Sequence, residues 1–287
     1  MNIENAIAGI LAAQAPSGAF LSTVYLPDGP VPDENGFVTA LVLHELTHLP
    51  QTPAVMAAQE RALDFLARCE LPTQPGAFSF YPPDGHPSWM PIPLNPDADD
   101  SALFAFALVR AGRKPKAFLE QVVREVLAKF RLFWISGTAK PWYQSGVYFT
   151  WLNKLYYPNI IDVCVNVNIA VLLKAAGVGE ALGITNIVQM VELGVAWAGT
   201  SSERALLLSP YYPHPMELLY AVERAVELGV EDFIACRETL RKLPWAQSDS
   251  CEGWSENRPI CSSEDGRILW RSAVLQQARR LSAMLVV

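Results

Sequence analysis

The stretch NPDADDSALFAFAL, residues 95–108, places three acidic residues within four positions, directly before an apolar run. A helix that is apolar on nearly all sides is buried, so a polar first turn lies at the edge of a core. The same arrangement, a polar start followed by an apolar helix, occurs five times in the chain. The segments are DENGFVTALVLHEL (33–46), DADDSALFAFALVRAG (97–112), DVCVNVNIAVLLKAAG (162–177), PHPMELLYAVERAVELG (213–229) and DGRILWRSAVLQQA (265–278).

Amphipathic helices alternate with these apolar segments. AAQERALDFLARCEL (57–71) and KAFLEQVVREVLAKFRLF (116–133) carry charges on one side, which suits an outer layer that faces water. Apolar residues recur at spacings of three and four along most of the chain, whereas strand-like alternation is scarce. The helices predicted from this spacing span residues 3–13, 37–49, 54–66, 102–109, 118–133, 163–176, 181–198, 216–228, 233–243 and 268–285.

Alternating outer and inner helices are typical of an α/α barrel. We therefore predict an all-α fold in which residues 1–287 form a single α/α barrel (toroid) of about five outer/inner helix pairs. The polar stretch 245–266 is interpreted as a long loop, because the final helix alone could not fold as a unit. The loops after the outer helices then meet at one rim, where the inner helices begin. The residues expected to converge there are Asp33, Asp97, Asp99, Asp100, Asp162 and His214.

The rim loops are rich in glycine, proline and aromatic residues. Aromatic faces stabilise cations by about 0.5 to 2 kcal/mol each without offering a lone pair, although each ring taken singly is also compatible with ordinary packing. Their concentration at one rim predicts a cavity for a lipophilic ligand. The predicted substrate-binding residues are Phe78, Phe80, Tyr81, Trp89, Trp142, Tyr148, Trp151, Tyr157, Tyr211 and Tyr212.

The acids at 97–100 allow two interpretations. Asp97 as N-cap and Asp100 at the third helical position resemble a capping box, and acids at a helix start gain roughly 0.3 to 1 kcal/mol from the helix dipole. Alternatively, carboxyl groups this close to each other and to an apolar wall cannot all ionise, so one stays protonated at neutral pH. A proton donor shielded from water is a strong acid toward a weak base such as an alkene. The helix dipole opposes this shift, so the sequence leaves the net direction open.

The string DADDSA (97–102), at the head of an inner helix, resembles the D-x-D-D-[TS]-A signature of class II terpene cyclases. The loop strings PSGAF (16–20), QPGAFSFY (74–81) and QSGVYFTW (144–151) are similar to the Q-x-x-x-G-x-W loops of that superfamily. Relatives usually place the site between two barrels, and this chain has residues for one. It is therefore most similar to the small monodomain class II cyclases that act on prenylated aromatic (meroterpenoid) substrates, the merosterolic acid synthase type.

The resemblance implies an intramolecular cyclase, an isomerase that protonates the terminal alkene of a linear polyprenyl chain and drives polycyclisation. Asp99 would be the general acid, and Asp97 and Asp100 would hold its geometry. A D-D-x-x-D string is absent from the sequence, so ionisation of a diphosphate by magnesium is not expected. No cofactor and no metal ion is predicted. The expected partner is a lipophilic prenylated small molecule, with transient contact at a membrane surface and no obligate protein partner.

Two other functions use the same fold. Asp162, Cys164 and His214 resemble the zinc ligands of protein prenyltransferase β subunits, in which three ligands leave a fourth position open to activate a thiol. Cys164 is also compatible with a small buried hydrophobe. The second alternative is a module that binds a prenyl ligand without changing it and needs no acid.

Composition restricts the remaining possibilities. The net charge of −7 disfavours nucleic acid as a partner. No basic start precedes an apolar run, and no run reaches the roughly 18 residues of a membrane span, so neither a signal peptide nor an anchor is predicted. The odd number of cysteines, five, predicts a reducing, cytoplasmic location, with Cys251 and Cys261 as free surface thiols.

The remaining candidates are single residues. His44 and His48, spaced i, i+4, are interpreted as structural, because LHELTHL is not the H-E-x-x-H zinc motif. His86 is a candidate rim residue, and Lys154 and Arg204 could meet an anionic headgroup near the entrance, although exposed basic side chains are usually only solvated.

Overall fold

The computed structural model describes residues 2–137, 139–156, 158–247 and 258–285. Most of this part of the chain is helical. In chain order the α-helices are α1 (Ile3–Ala12), α2 (Gly36–Leu46), α3 (Pro53–Arg68), α4 (Ala98–Arg110), α5 (Ala117–Gln121), α6 (Val163–Ala176), α7 (Gly179–Leu182), α8 (Ile184–Ala198), α9 (Ser202–Leu206), α10 (Met216–Glu227), α11 (Ile234–Leu240), α12 (Pro244–Gln247) and α13 (Ala273–Leu285). The strands are β1 (Leu21–Leu26), β2 (Gly29–Glu34), β3 (Pro259–Ser262) and β4 (Leu269–Arg271).

Five of these helices form a ring of neighbours. Helix α13 packs on α2, α2 on α4, α4 on α6, and α6 on α10. A buried ion pair between Glu217 and Arg279 joins α10 to α13. Outside the ring, α1 packs on α13, α3 on α2 and α4, α5 on α4 and α6, and α11 on α8 and α10. The predicted distinction between inner and outer helices therefore corresponds to the packing.

Three ring helices begin with the same local structure. The N-cap residues of α2, α4 and α6 are Asn35, Asp97 and Asp162, and each side chain accepts the backbone N–H three positions later. Four positions after the cap, a polar side chain bonds back to the cap's carbonyl oxygen. The same side chain also accepts the backbone N–H of an aromatic rim residue. These three pairs are Thr39 with Phe20, Ser101 with Phe78, and Asn166 with Tyr148.

A glycine two positions before each of these aromatic residues makes the rim turn possible. Gly18, Gly76 and Gly146 have φ angles of 98°, 85° and 92°, a region that L-residues rarely adopt. At Gly18 a Cβ atom would lie 2.2 Å from the carbonyl oxygen of Arg61. The repeated glycine-aromatic loops of the sequence are thus a repeated turn that fastens an outer helix to the start of an inner one.

The sequence predicted an all-α fold, but the structure also contains a small sheet. This sheet is antiparallel and four-stranded, in the order β2-β1-β4-β3. Strands β1 and β2 form a hairpin with Val24 opposite Val31. Val24 also pairs with Trp270 of β4, which connects the two ends of the chain. The predicted helix over 268–285 is therefore wrong in its first residues, since residues 269–271 are extended and α13 begins at Ala273.

The predicted helix over 118–133 is also shorter and irregular. Helix α5 ends at Gln121 and continues as a π-helical turn (Val122–Val126) and a 3₁₀ turn (Leu127–Phe130). Arg131 is extended and bridges to Tyr148, so the chain leaves the helix to join the rim. Across the described residues, no helix has both the length and the apolar character needed to cross a bilayer.

Candidate active site

The three acids of the DADD string lie at the first turn of α4. Asp97 caps the helix, with its Oδ1 accepting the backbone N–H of Asp100 at 2.7 Å. Backbone bridges hold Asp97 between two rim loops, at Phe78 on one side and Trp151 on the other. All three carboxyl groups are buried. Helix capping therefore explains the position of Asp97 but not the burial of Asp99 and Asp100.

Asp99 faces the interior of the ring and is hydrogen-bonded through both oxygens. Asn168 of α6 donates from Nδ2 to Asp99 Oδ1 at 2.6 Å, and the Tyr212 hydroxyl donates to Asp99 Oδ2. Arg224 of α10 donates from Nη2 to Asn168 Oδ1 at 2.7 Å. A guanidinium charge is thus relayed to the Asp99 carboxyl group through the amide of Asn168. Four segments of the chain build this arrangement, namely α4, α6, the loop that carries Tyr212, and α10.

The electrostatics of Asp99 result from two opposed effects. Burial raises the pKa of Asp99, and the hydrogen bonds from Tyr212 and Asn168 and the charge of Arg224 lower it without cancelling the rise. Burial penalises the charged carboxylate, whereas the donors stabilise it. Asp99 therefore holds its proton to a higher pH than an exposed aspartate, while the groups that would stabilise its carboxylate are already in place.

The two neighbouring acids also bind protons more tightly than free aspartates. Burial, followed by the charge of Asp99, raises the pKa of Asp97 to about 7. Burial, followed by the charge of Asp97, raises the pKa of Asp100 well above its usual range. Asp100 Oδ2 has no hydrogen-bond partner in the described part of the chain. Burial is the largest cause at all three acids and raises each pKa, which is the direction that the sequence left open.

The acids border a cavity of about 270 Å³ at the rim where the ring helices begin. All three carboxyl groups contribute to its wall, and most of the remaining wall is apolar or aromatic. The aromatic lining residues are Phe37, Phe80, Trp151, Tyr156, Tyr211, Tyr212 and Trp270. A buried acid cluster thus lies against an apolar, ring-lined space, which is the environment that keeps a carboxyl group protonated.

The aromatic residues predicted to bind substrate separate into three groups. Four of them, Phe80, Trp151, Tyr211 and Tyr212, line the cavity. Tyr81 and Trp89 lie behind this wall: Tyr81 packs against Phe80 with ring centroids 5.0 Å apart, and Trp89 lies 6.2 Å from Trp270. The remaining described ones are core residues away from the lining, namely Phe78, Trp142 and Tyr148. Tyr157 and Cys251 lie outside the described residues.

Asp33 and Cys261 have other positions than the sequence predicted. Asp33 accepts four side-chain hydrogen bonds, from Ser22, Asn35, Tyr81 and Trp270. It therefore supports the tryptophan that lines the cavity without lining it itself. Cys261, expected as a surface thiol, is buried in the cavity wall.

Comparison with solved structures finds the type II terpene cyclase MstE from Scytonema. An aspartate-to-alanine variant in complex with merosterolic acid A (product) gives a TM-score of 0.50 at 15% identity, covering 99% of this chain and 95% of that one. The chain has the fold of a type II terpene cyclase. An aspartate-to-asparagine variant of MstE with geranylgeranyl dihydroxybenzoate (substrate) gives 0.50 at 14% identity, with the same coverage. No protein-family model and no curated protein matches the sequence.

On this terpene cyclase fold, the three residues proposed as zinc ligands form hydrogen bonds with other groups of the protein. Asp162 caps α6 and accepts the backbone N–H of Tyr211 at 3.2 Å. The Ser209 hydroxyl donates to Cys164 Sγ at 3.1 Å, and His214 Nδ1 accepts the backbone N–H of Met216. Among the described residues, Asp162, Cys164 and His214 do not form a cluster with metal-ligand spacing. The geometry of these described residues therefore does not support the zinc alternative.

Sequence reasoning did not identify several residues around the acid and in the cavity lining of this fold. Asn168 and Arg224 form the relay to Asp99, and Trp270 lines the cavity. Asn168 did carry a signal, since a buried polar side chain in an apolar helix needs a hydrogen-bond partner. Arg224 lies in a predicted inner helix, but nothing in the local sequence indicates its partner, and Trp270 was assigned to the wrong kind of element.

Proposed function

We propose that this protein is a class II terpene cyclase, in which Asp99 protonates the terminal alkene of a linear polyprenyl chain and starts polycyclisation. In the protonation step the Asp99 O–H bond breaks and a C–H bond forms at the alkene, leaving a tertiary carbocation and an aspartate carboxylate. The chain then closes ring by ring, and the last cation loses a proton to a base or is trapped by a nucleophile of the substrate. The reaction needs no redox cofactor.

The observation that carries this proposal is the set of partners around Asp99. Burial raises the pKa of the Asp99 carboxyl group, while Asn168, Tyr212 and the charge of Arg224 stabilise the carboxylate that proton transfer leaves behind. Hydrogen-bond donors that are in place before the reaction lower the barrier because they do not need to reorganise. Asp100 has no such donors at Oδ2. We therefore assign the proton donor to Asp99, and positioning of the donor to Asp97 and Asp100.

The cavity wall supports the subsequent steps. Its aromatic rings offer faces to a migrating cation, and each face contributes about 0.5 to 2 kcal/mol, more when water is excluded. The wall would also hold the prenyl chain in the conformation needed for ring closure. Four of the predicted substrate-binding residues line this cavity, which supports their assignment: Phe80, Trp151, Tyr211 and Tyr212. In this proposal, residues 1–287 form one domain and the ring of helices is its α/α barrel.

A prenylated aromatic compound is the substrate class we propose. MstE, whose fold this chain shares, is known in complexes with geranylgeranyl dihydroxybenzoate and with merosterolic acid A. The apolar wall next to Asp99 suits the prenyl group of such a molecule. The cavity does not provide a cluster of basic side chains for a diphosphate among its described lining residues.

The test is incubation with a panel of prenylated benzoates, prenylated quinols and free polyprenyl diphosphates in the presence of EDTA. We expect a cyclised product of unchanged mass from a prenylated aromatic compound. Asp99→Asn should lower turnover by about 10²- to 10⁴-fold, the usual contribution of a general acid. The matched control is Asp64→Asn, which changes an exposed aspartate on α3 and should keep full activity.

The outcomes separate the alternatives. Conversion only after zinc or magnesium is added would contradict proton-initiated cyclisation. Binding of the panel compounds without conversion, unchanged by Asp99→Asn, would instead indicate the non-catalytic prenyl-binding module.

A further inference from the structure

We propose that His44, His48 and Glu227 form a binding site for a divalent transition metal ion, with zinc as the best fit, at the end of the ring opposite the acid cluster. This site is independent of the proposed cyclase reaction. It takes no part in protonation, for which no metal ion is predicted.

The three side chains come from the end of α2, the turn after it and the end of α10, and they converge on one point. His44 lies in the last turn of α2 and His48 in the turn that follows, and both direct Nε2 to the Glu227 carboxylate of α10. His48 Nε2 lies 2.6 Å from Oε1, and His44 Nε2 lies 3.4 Å from Oε2. One ligand atom from each residue falls within 4.8 Å of the others. Among the described residues, this is the one such group of three or more His, Cys, Asp and Glu side chains.

The donor set matches the preference of zinc. Two imidazole nitrogens and one carboxylate oxygen are a known zinc ligand set, bound at about 2.0 to 2.2 Å with a fourth position left for water. Ligand atoms around such an ion lie about 3.4 Å apart, since that is the edge of a tetrahedron of this radius. The present separations need only small side-chain rotations to reach this value. Imidazole ligands favour zinc, copper or nickel over magnesium and calcium.

The space and the contacts around the three side chains also suit an ion. The site opens into a cavity of about 720 Å³, which leaves room for a metal-bound water molecule. His48 Nδ1 is buried without a hydrogen-bond partner, and Glu45 Oε2 lies 3.9 Å away. Metal-bound histidines usually donate this second nitrogen to a carboxylate, so Glu45 is placed to take that role.

Negative and positive side chains around the site nearly offset each other. Glu45 adds a second negative charge, while Arg224 and Arg110 lie near the histidines and oppose a cation. An ion bound here would connect the last turn of α2 to the last turn of α10. These two helices are separated in the ring by α13 and are linked here through side chains, so the ion would stabilise the closed ring.

The experiment uses tag-free protein that has been treated with EDTA and dialysed. Titration with Zn²⁺ and with Co²⁺ should give one equivalent bound, and the Co²⁺ complex should show visible absorption typical of nitrogen and oxygen ligands. At a free Zn²⁺ concentration about 100 times the Kd, the thermal midpoint should rise by about 5 °C. His48→Ala and Glu227→Gln should each weaken binding at least about tenfold.

The matched control is His86→Ala, because His86 is exposed and distant in sequence from the site; its affinity should equal that of the wild type. The proposal is overturned if the wild type binds no ion, if the site variants bind as tightly as the wild type, or if the control loses binding as well. Should His48→Ala fail to fold, the near-isosteric Glu227→Gln decides by the same readouts.

Discussion

The Asp99 carboxyl group has to satisfy two requirements that oppose each other. A proton donor toward an alkene must still be protonated at the working pH, and its conjugate base must be stable enough to form. Burial raises the pKa of Asp99 and so favours the first requirement, whereas Asn168, Tyr212 and Arg224 stabilise the carboxylate and so favour the second. Removing the acid itself tests only whether Asp99 is needed. Changing the strength of the acid while leaving it in place is the more informative test.

Arg224→Met should shift the pH dependence of turnover without removing the acid. The positive charge of Arg224 lowers the pKa of Asp99, so its loss raises this pKa, and the protonated form persists to higher pH. The alkaline limb of the pH profile should therefore move upward. The maximal rate should fall by about three- to tenfold, because the carboxylate left by proton transfer is less stable. The measurement is kcat against pH with the prenylated substrate.

The control is Arg224→Lys, which keeps the charge and should restore the position of the limb in part. A limb that stays in place while the rate falls would mean that Arg224 only supports packing.

The acids could be predicted from the sequence because a DADD string before an apolar helix is a local signal. Their partners could not, since Asn168 and Arg224 follow Asp99 by 69 and 125 positions and reach it only through the ring. Tyr212 was predicted for its aromatic ring, whereas its closest contact with Asp99 is through the hydroxyl group.

At the level of elements, the sheet shows where helical periodicity misleads. The strings LSTVYL (21–26) and GPVPDE (29–34) flank a Pro-Asp-Gly turn, which is a strong hairpin signal. The glycine, proline and aromatic residues of the same stretch instead predict one of the rim loops. Residues 269–271 have no local signal for a strand. They become extended because β1 pairs with them from the other end of the chain.

Because α2 packs closely on α4, adding one methyl group at Gly36 should lower the stability of the protein. A Cβ atom at Gly36 would lie 2.5 Å from two ring carbons of Phe104, a fully buried side chain. Gly36→Ala should therefore lower the free energy of unfolding by about 1 to 3 kcal/mol, as overpacking usually does. Urea denaturation measures this change.

Gly137→Ala is the matched control, because nothing lies within 4 Å of the Cβ atom it would add. Its stability should stay within about 0.5 kcal/mol of the wild type. Equal effects of the two substitutions would contradict the close approach of α2 and α4.

For the whole molecule, the decisive contact is the one that joins the last ring helix to its predecessor. Arg279 of α13 donates from both terminal nitrogens to the two oxygens of Glu217 on α10, each at 2.8 Å. Arg258, just before β3, adds a third bond to Glu217 at 3.3 Å. Local periodicity predicts helices but not how their ends meet, so alternation indicated a ring without identifying this contact. The sequence places Glu217 near the polar start of a predicted inner helix, without indicating which residue it binds.

Glu217→Gln should destabilise the molecule more than any exposed ion-pair variant. Removing the carboxylate leaves two buried guanidinium groups without a counter-charge, which costs about 3 to 5 kcal/mol of unfolding free energy. Glu120→Gln is the control, since Glu120 forms an exposed i, i+4 pair with Arg124 and should lose no more than about 0.5 kcal/mol. Both values come from urea denaturation at pH 7.

The difference in unfolding free energy between the wild type and Glu217→Gln should depend on pH, and the pKa of Glu217 gives the direction. Burial raises this pKa, but Arg279 and Arg258 lower it by more, so it lies below the ordinary value of 4.5 in the folded protein. The contribution of Glu217 to stability is therefore complete above pH 4.5 and is lost as the pH falls through the lowered value. The gap between wild type and Glu217→Gln should be constant from pH 8 to pH 6 and shrink in acid. A gap that grows in acid would mean that Glu217 is protonated in the folded ring, and the ring closure would then not be ionic.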